Sequence, residues 1–158
     1  MQFNQFQIEN LFFMDAVKNV IMKNGDFIKF LYSDSDCVMN SLYFDLPIEY
    51  TGVEKTFHKN KLVYDPYSTT NITAIRELYL VEKAILDYYE HTGKKPVHKI
   101  SESTFQGNIY FGPGGGGMSP PLVPPEPTTG DKKKRLIVKF SGIWENATEY
   151  GITYKFIL

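Results

Sequence analysis

A chain of 158 residues has the length of one domain and can bury a hydrophobic core without help from metals or disulfides. Because Cys37 is the only cysteine, an intramolecular disulfide and a zinc site built on several cysteines are excluded. The formal net charge of −1 conceals an asymmetry, since residues 1–50 contain seven acidic side chains and only three lysines. The remaining basic side chains concentrate in three groups, which are Lys55, Lys59 and Lys61, then Lys94, Lys95 and Lys99, and finally Lys132, Lys133, Lys134 and Arg135.

The start of the chain lacks the basic segment and apolar run of a secretory leader, and no apolar run is long enough to span a bilayer. We therefore expect an intracellular protein with no membrane partner. The aromatic content of 15% is high, and the rings can either fill a β-rich core or form an exposed stacking surface.

The first part of the chain predicts strands. Residues 8–22 fit either a helix or a strand, and both remain open. Asn24-Gly25 precedes the apolar run 27–33, and Asn-Gly is the strongest short signal for a hairpin because both turn positions need positive φ. A polar turn at residues 34–36 leads to another strand, which stops near Pro47 because proline cannot donate to a ladder.

One helix is predicted from about residue 72 to residue 91, where apolar side chains recur at helical spacing on one face. Asn71 is the expected N-cap and Gly93 the expected C-terminal stop. Glu82 is the one charged residue that interrupts the apolar face. The pattern predicts an amphipathic helix that covers a core.

The end of the chain predicts a short strand within residues 105–112 and two longer strands, 136–144 and 149–158, in which apolar and polar residues alternate. Two strands cannot bury enough apolar surface to be stable alone, so they must complete the sheet begun earlier. Residues 112–135 hold six of the nine prolines. We therefore interpret them as a flexible, Gly/Pro-rich and basic loop inserted in a single domain of residues 1–158.

Little in the sequence supports an enzyme. His58, His91 and His98 lack the spacing of metal ligands, and the GPGGGG run from Gly112 lacks the Gly-Lys-Ser/Thr ending of a phosphate-binding loop. Residues 33–36 either form a hairpin turn or begin a metal-dependent nuclease site, and we favour the turn. We expect a non-catalytic protein without a metal or a cofactor.

Basic residues interleaved with aromatics form the pattern with the clearest physical logic. Single-stranded nucleic acid is bound by cations along its phosphates and by exposed rings on which its bases stack. The predicted nucleic-acid-binding residues are Lys55, Phe57, Lys59, Lys61, Tyr64, Tyr67, Tyr110, Lys132, Lys133, Lys134, Arg135, Lys139 and Lys155. Tyr43 and Trp144 belong to the same pattern but receive no role, since part of the rings must fill the core.

The order of elements is compatible with an OB-fold, a five-stranded barrel whose helix lies between the third and fourth strands. Three stretches add a resemblance to a known family. NSLYFDLPIEYTGVEK (40–55), LYLVEKAILDYYE (78–90) and KFSGIWENATEYGITYKFIL (139–158) resemble a strand-to-proline segment, a helix and a closing hairpin. These are features of the podophage-type replication single-stranded DNA-binding proteins, in the branch found in large eukaryotic DNA viruses.

The resemblance implies a mainly β, OB-fold-like five-stranded barrel with one main helix. It also implies sequence-independent binding of single-stranded DNA in replication or recombination. The residues that match the closing hairpin are Trp144, Tyr150, Thr153, Tyr154 and Lys155. The family commonly ends in an acidic tail that recruits replication proteins, whereas this chain ends in YKFIL, so such partners remain open, as does a homo-oligomer. The alternative is a non-enzymatic protein-interaction module that uses the Pro-rich loop and exposed aromatics.

Overall fold

Strands account for 44% and helices for 27% of the protein. The structure is a computed structural model, and it describes residues 1–18, 25–56, 58–89, 93–112 and 135–158. The prediction of a mainly β protein with one main helix is confirmed. The strands are β1 (Leu11–Phe13), β2 (Val17–Lys18), β3 (Asp26–Ser33), β4 (Val38–Met39), β5 (Leu42–Leu46), β6 (Tyr50–Lys55), β7 (Asn60–Tyr64), β8 (Lys95–Val97), β9 (Tyr110–Phe111), β10 (Leu136–Glu145) and β11 (Glu149–Ile157). Two short 3-10 helices, Phe3–Gln5 and Ile8–Asn10, precede β1, and α1 (Thr69–Tyr89) and α2 (Lys99–Phe105) lie between β7 and β9.

The antiparallel hairpin of β10 and β11 forms the centre of the sheet. The edge of β11 that faces away from β10 pairs in parallel with β8 and β9. Strand β9 in turn pairs with β7, which forms an antiparallel hairpin with β6. The edge of β10 that faces away from β11 pairs with β5 along the first half of β10 and with β3 along the second half. Strand β3 has β1, β2 and β4 as its further partners.

This sheet is open. A barrel closes when its terminal strands pair, whereas the order of the described strands begins with β1 and ends with β6, and these two are not joined. The predicted closed five-stranded barrel is therefore not observed.

The segment that the sequence left undecided contains both kinds of structure. A single 3-10 turn at residues 8–10 leads into β1 and β2, while residues 19–24, and with them Asn24 of the predicted hairpin turn, lie outside the described residues. The strand predicted at 27–33 is confirmed as β3. The next predicted strand is divided into β4 and β5, and β5 ends at Leu46, directly before Pro47.

Helix α1 begins at Thr69, earlier than predicted, and Ser68 caps it by accepting the N–H of Asn71 at its Oγ (3.3 Å). The prediction of Asn71 as the cap is wrong, because its side chain is buried and committed elsewhere. Its Oδ1 accepts the N–H of Glu49 (2.7 Å), and its Nδ2 donates to the carbonyls of Glu49 (2.9 Å) and Asp65 (2.8 Å). Asn71 therefore ties the start of α1 to the segments on both sides of the β6–β7 hairpin.

Glu82, the charged interruption of the apolar helix face, is fully buried and holds the start of α2. Its Oε1 accepts the N–H of Ile100 (3.1 Å), and its Oε2 accepts the N–H of Ser101 (3.0 Å) together with the Ser101 hydroxyl. These N–H groups lie in the first turn of α2, where no carbonyl within the helix can accept them. Burial raises the pKa of Glu82, and the hydrogen bonds from Ser101 and Ile100 offset part of that rise.

The core lies on the inner face of the sheet, where α1 and the 3-10 helices pack. Phe3 stacks on Phe44 with 5.1 Å between ring centroids, and Tyr89 of α1 contacts Tyr150 at 5.5 Å. The alternation predicted for the final strands is confirmed, since its inward positions are buried: Leu136, Val138, Phe140, Ile152 and Phe156. The residues between them lie on the opposite side of the sheet, which is called the outer face below.

The predicted Gly/Pro-rich loop, residues 112–135, falls outside the described residues except for its two end positions. In sequence this segment lies between β9 and β10, and these two strands occupy opposite edges of β11. Within the described residues, neither helix combines the length and the apolar composition that a membrane crossing requires.

Candidate nucleic-acid interface

A row of aromatic and basic residues crosses the outer face of the sheet, perpendicular to the strands. Lys139 on β10 lies opposite Tyr43 on β5 and, on its other side, opposite Lys155 on β11. Lys61 on β7 lies opposite Tyr110 on β9. Residues directly opposite each other on neighbouring strands have side chains on the same face, so each of these groups shares one surface.

The pair Phe156–Phe111 joins the two groups. Because β9 runs parallel to β11 with Phe111 opposite Phe156, the preceding residues Tyr110 and Lys155 are also neighbours. Phe156 is buried, so the residues before it lie on the outer face. The complete row, named the basic-aromatic row, is Tyr43, Lys139, Lys155, Tyr110 and Lys61. It crosses five strands, which is about 19 Å at a strand spacing of about 4.8 Å.

Both rings of the row are exposed and lie beside lysine ammonium groups. Tyr43 is 41% exposed and Tyr110 is 45% exposed. Lys139 Nζ lies 5.8 Å from the centroid of the Tyr43 ring, while Lys59 Nζ and Lys61 Nζ lie 5.9 and 6.0 Å from that of Tyr110. Each contact contributes roughly 0.5–1 kcal/mol at an exposed site, and it keeps a cation next to a π-surface.

The lysines of the row form no ion pair with a carboxylate of the described residues. Glu54 lies opposite Lys61 on β6, yet the lysine amine is directed at Tyr110. Lys139 and Lys155 are direct cross-strand neighbours, a placement in which two like charges destabilise an antiparallel pair. The row is therefore a strip of positive charge that an anion could neutralise.

Three further predicted basic residues have clear positions. Lys55 ends β6 and Lys59 lies in the turn between β6 and β7, and both are exposed, so this hairpin extends the positive strip beyond Lys61. Arg135 is exposed directly before β10, where its Nη2 lies 2.7 Å from Oδ2 of Asp45. The ion pair leaves less net charge at Arg135 than at the lysines of the row.

The second basic group of the sequence contributes to the fold at Lys94. Lys94 Nζ lies 3.4 Å from Oε1 of the buried Glu145, whose Oε2 accepts the hydroxyl of Tyr89 at 2.9 Å. Burial, followed by this hydrogen bond, raises the pKa of Tyr89 above its usual range. These contacts connect the end of α1 to the end of β10, so Lys94 is not part of the positive strip.

Two of the predicted stacking residues are not in the row. Tyr64 is only 9% exposed and donates its hydroxyl to the carbonyl of Thr104 (2.6 Å), and burial raises its pKa above its usual range. It lies three residues after Lys61 on β7, on the inner face, so it presents no ring to a base. Tyr67 is 76% exposed in the turn before α1. Phe57, Lys132, Lys133 and Lys134 lie outside the described residues.

The acidic residues near Asp34 form a turn between β3 and β4. Asp34 Oδ1 accepts the N–H groups of Asp36 (2.8 Å) and Cys37 (2.9 Å), and these bonds, that of Asp36 first, hold the pKa of Asp34 below its usual value. The turn interpretation is therefore confirmed. Among the residues that the structure describes, no three His, Cys, Asp or Glu side chains are grouped so that they could hold a metal ion.

Tyr43 is the member of the row to which the sequence assigned no role. Its strand shows a clear alternation, because Leu42, Phe44 and Leu46 are buried while Tyr43 is exposed. That period of two was available in the sequence. The sequence predicts one strand where the structure has β4 and β5, and that prediction assigns no faces.

No protein-family model, no curated protein and no solved structure matches this chain.

Proposed function

We propose that this protein is a non-catalytic, sequence-independent single-stranded DNA-binding protein that acts in DNA replication or recombination. The observation that carries the proposal is the basic-aromatic row, in which three lysines and two exposed tyrosines follow one line across five strands. Lys61, Lys139 and Lys155 bind phosphates, and bases stack on Tyr43 and Tyr110. Lys55 and Lys59 add charge at the hairpin end of the line.

The chemistry of the row favours a single strand over a duplex. In a duplex the bases are stacked on each other, so a protein ring can reach a base face only where the strand is unpaired. Each stacked base contributes about 1–3 kcal/mol, and every base has a π-face, so such binding tolerates any sequence. The row contains no Asn or Gln side chain for bidentate recognition of a base edge.

The proposal includes a relation to OB-fold proteins, although the described sheet is open. The mainly β fold supports it, as does the order of elements, in which the main helix follows β7 and precedes the closing hairpin. The basic run Lys132 to Lys134 remains a predicted phosphate site at the end of the loop.

The direct test is a titration of the protein into fluorescently labelled oligo-dT, followed by fluorescence anisotropy at several salt concentrations. We expect saturable binding at low salt and weaker binding to a duplex. The double variant Lys139→Gln/Lys155→Gln should bind more weakly, and its slope of log K against log salt should be shallower by about 1.4, since two phosphate contacts are lost. Arg76→Ala, which removes an exposed charge from α1 on the other side of the molecule, is the matched control.

Absence of saturable binding to oligo-dT at low salt would overturn the proposal. Equal affinity for single strand and duplex would mean that the lysines bind phosphates but that no base stacks on the tyrosines. A double variant with the same affinity and salt dependence as Arg76→Ala would place the interface elsewhere on the molecule.

The second candidate function is a non-enzymatic protein-interaction module. It is favoured by Tyr67, which is 76% exposed outside the row, and by the exposed apolar side chains Phe12, Met14 and Val17 on and beside the edge strands β1 and β2. Such patches commonly mark protein contacts. This candidate replaces the first if oligo-dT does not bind.

A further inference from the structure

Two aromatic rings on the outer face lie over glycines of neighbouring strands. Phe27 on β3 lies directly opposite Trp144 on β10, and Trp144 in turn lies opposite Gly151 on β11. A Cβ placed on Gly151 would come within 2.8 Å of the Trp144 indole, and one on Gly142 would come within 2.8 Å of the Phe27 ring. Because real Cβ atoms do not approach other atoms so closely, only glycine leaves room for the rings at these positions.

The indole of Trp144 lies against the backbone of Gly151. Its Cζ2, Cε2 and Nε1 atoms would lie 2.8, 2.9 and 2.9 Å from a Cβ on Gly151. Phe27 and Trp144 are both half-buried, so solvent still reaches part of each ring. The two rings are named the Phe27–Trp144 shelf.

Basic residues border the shelf. Lys29 is exposed and lies opposite Gly142, the residue under the Phe27 ring. Lys155 lies on the same outer face, four residues from Gly151 along β11, which is about 13 Å at about 3.3 Å per residue. A π-surface beside ammonium groups matches the chemistry of a nucleotide, whose base stacks on a ring and whose phosphate pairs with a cation.

We infer that the Phe27–Trp144 shelf is a second base-stacking subsite, so that a bound strand passes from the basic-aromatic row along β10 and β11 onto the shelf. The occupant is a nucleobase of that same strand, because the shelf is continuous with the lysines of the proposed interface. This inference rests on the proposed function, since a base reaches the shelf only while Lys139 and Lys155 hold the neighbouring phosphates.

The test uses Trp144 itself, which is the only tryptophan. Its emission is recorded while unlabelled oligo-dT is added, and the anisotropy of labelled oligo-dT is measured under the same conditions. We expect the emission to change along the same saturation curve as the anisotropy, because a stacked base contacts the indole. An emission that stays constant while the anisotropy saturates would overturn the subsite and leave the proposed function standing.

Variants supply a second readout. Trp144→Leu should weaken oligo-dT binding on the order of ten-fold, and Trp144→Phe, which keeps a ring, should stay within about three-fold of the wild type. Phe27→Leu tests the other ring and serves if Trp144→Leu does not fold. Tyr88→Leu removes an exposed ring from α1 and should leave the affinity unchanged.

An abasic oligonucleotide separates stacking from charge. It retains the phosphates, so the wild type and Trp144→Leu should bind it equally, whereas Lys139→Gln/Lys155→Gln should still bind it more weakly. Wild-type affinity of both Trp144→Leu and Phe27→Leu for oligo-dT would overturn the subsite alone. Absence of any oligo-dT binding by the wild type would overturn the proposed function and the subsite together.

Discussion

Lys139 and Lys155 lie directly opposite each other at the centre of the sheet, with both ammonium groups on the outer face and no carboxylate of the described residues paired with either. Such a pair is unfavourable for the isolated fold, because like charges in cross-strand positions repel. A bound phosphate would relieve that repulsion. The proposed binding of phosphates therefore favours lysine at both positions, whereas the stability of the sheet disfavours it.

Replacing Lys155 by threonine should separate these two effects. The free energy of unfolding should rise by about 0.2–1 kcal/mol, since one of the two facing charges is removed. Binding to oligo-dT should weaken, and the slope of log K against log salt should become shallower by about 0.7. Urea denaturation and anisotropy measure the two effects, with Arg76→Ala as the charge control. A destabilised variant with unchanged binding would contradict the prediction.

Glu82→Ala should lower the free energy of unfolding by about 1–3 kcal/mol, because the N–H groups of Ile100 and Ser101 lose their acceptor inside the protein. Glu77→Ala removes an exposed carboxylate from the same helix and should change the free energy by no more than about 0.5 kcal/mol. Urea denaturation of both variants gives the comparison. Equal losses for the two variants would mean that Glu82 does not hold α2.

The stability contributed by Glu82 should also depend on pH. Because burial raises its pKa above the ordinary value of 4.5, the folded protein retains this proton at pH values where the unfolded chain has lost it. The contribution is therefore fully present below pH 4.5 and is lost as the pH rises through the folded pKa. Glu82→Gln cannot ionise, so the free energy of unfolding of the wild type minus that of this variant should fall from acidic to neutral pH. A difference that stays constant would contradict the expectation.

Asn71→Ala should cost about 3 kcal/mol of unfolding free energy, since three hydrogen bonds to the backbone of Glu49 and Asp65 are lost at about 1 kcal/mol each. Thr70→Ala is the matched control, because Thr70 is the exposed preceding residue of α1. Thermal and urea unfolding of the two variants measure the difference. If Asn71 acted only as a surface residue, both variants would unfold alike.

Gly142→Ala should destabilise the protein by about 1–3 kcal/mol. The new Cβ would clash with the carbonyl oxygen of Ile28, which belongs to the paired strand β3, and would lie 2.8 Å from the Phe27 ring. Gly52→Ala has no atom within 4 Å of its Cβ and should stay within about 1 kcal/mol of the wild type. Urea denaturation of the two variants decides, and equal stability would show that β3 and β10 can separate at Gly142.

The closing hairpin was predictable from the sequence because its information is local. The alternation of Leu136, Val138 and Phe140 with polar or less buried residues is sufficient to assign two faces. Helix α2 was not predictable in the same way, since seven residues are too few for a helical period and its start is held by Glu82 from another helix. The structural role of Glu82 depends on this contact with α2, which the pattern of α1 alone does not reveal.

The basic-aromatic row could be predicted only in part. Lys139, Lys155, Lys61 and Tyr110 were each identified, because their residue types suit phosphates and bases. Their alignment depends on the register between β9 and β11, which are separated in sequence by the whole Gly/Pro-rich segment. For the same reason Tyr64 was wrongly expected at the surface, since the face of β7 is fixed by its pairing with β9.

The position of β11 between β9 and β10 has a consequence for how the protein folds during its synthesis. Both neighbours come earlier in the chain, yet one edge of each is paired by Glu149–Ile157. Until this segment is available, β10 and β9 each present an unpaired edge of backbone N–H and C=O groups. The pairing of β11 with β9 is non-local, and such pairing folds slowly. Docking of β11 is also the step that places Lys155 between Lys139 and Tyr110, so it completes the basic-aromatic row.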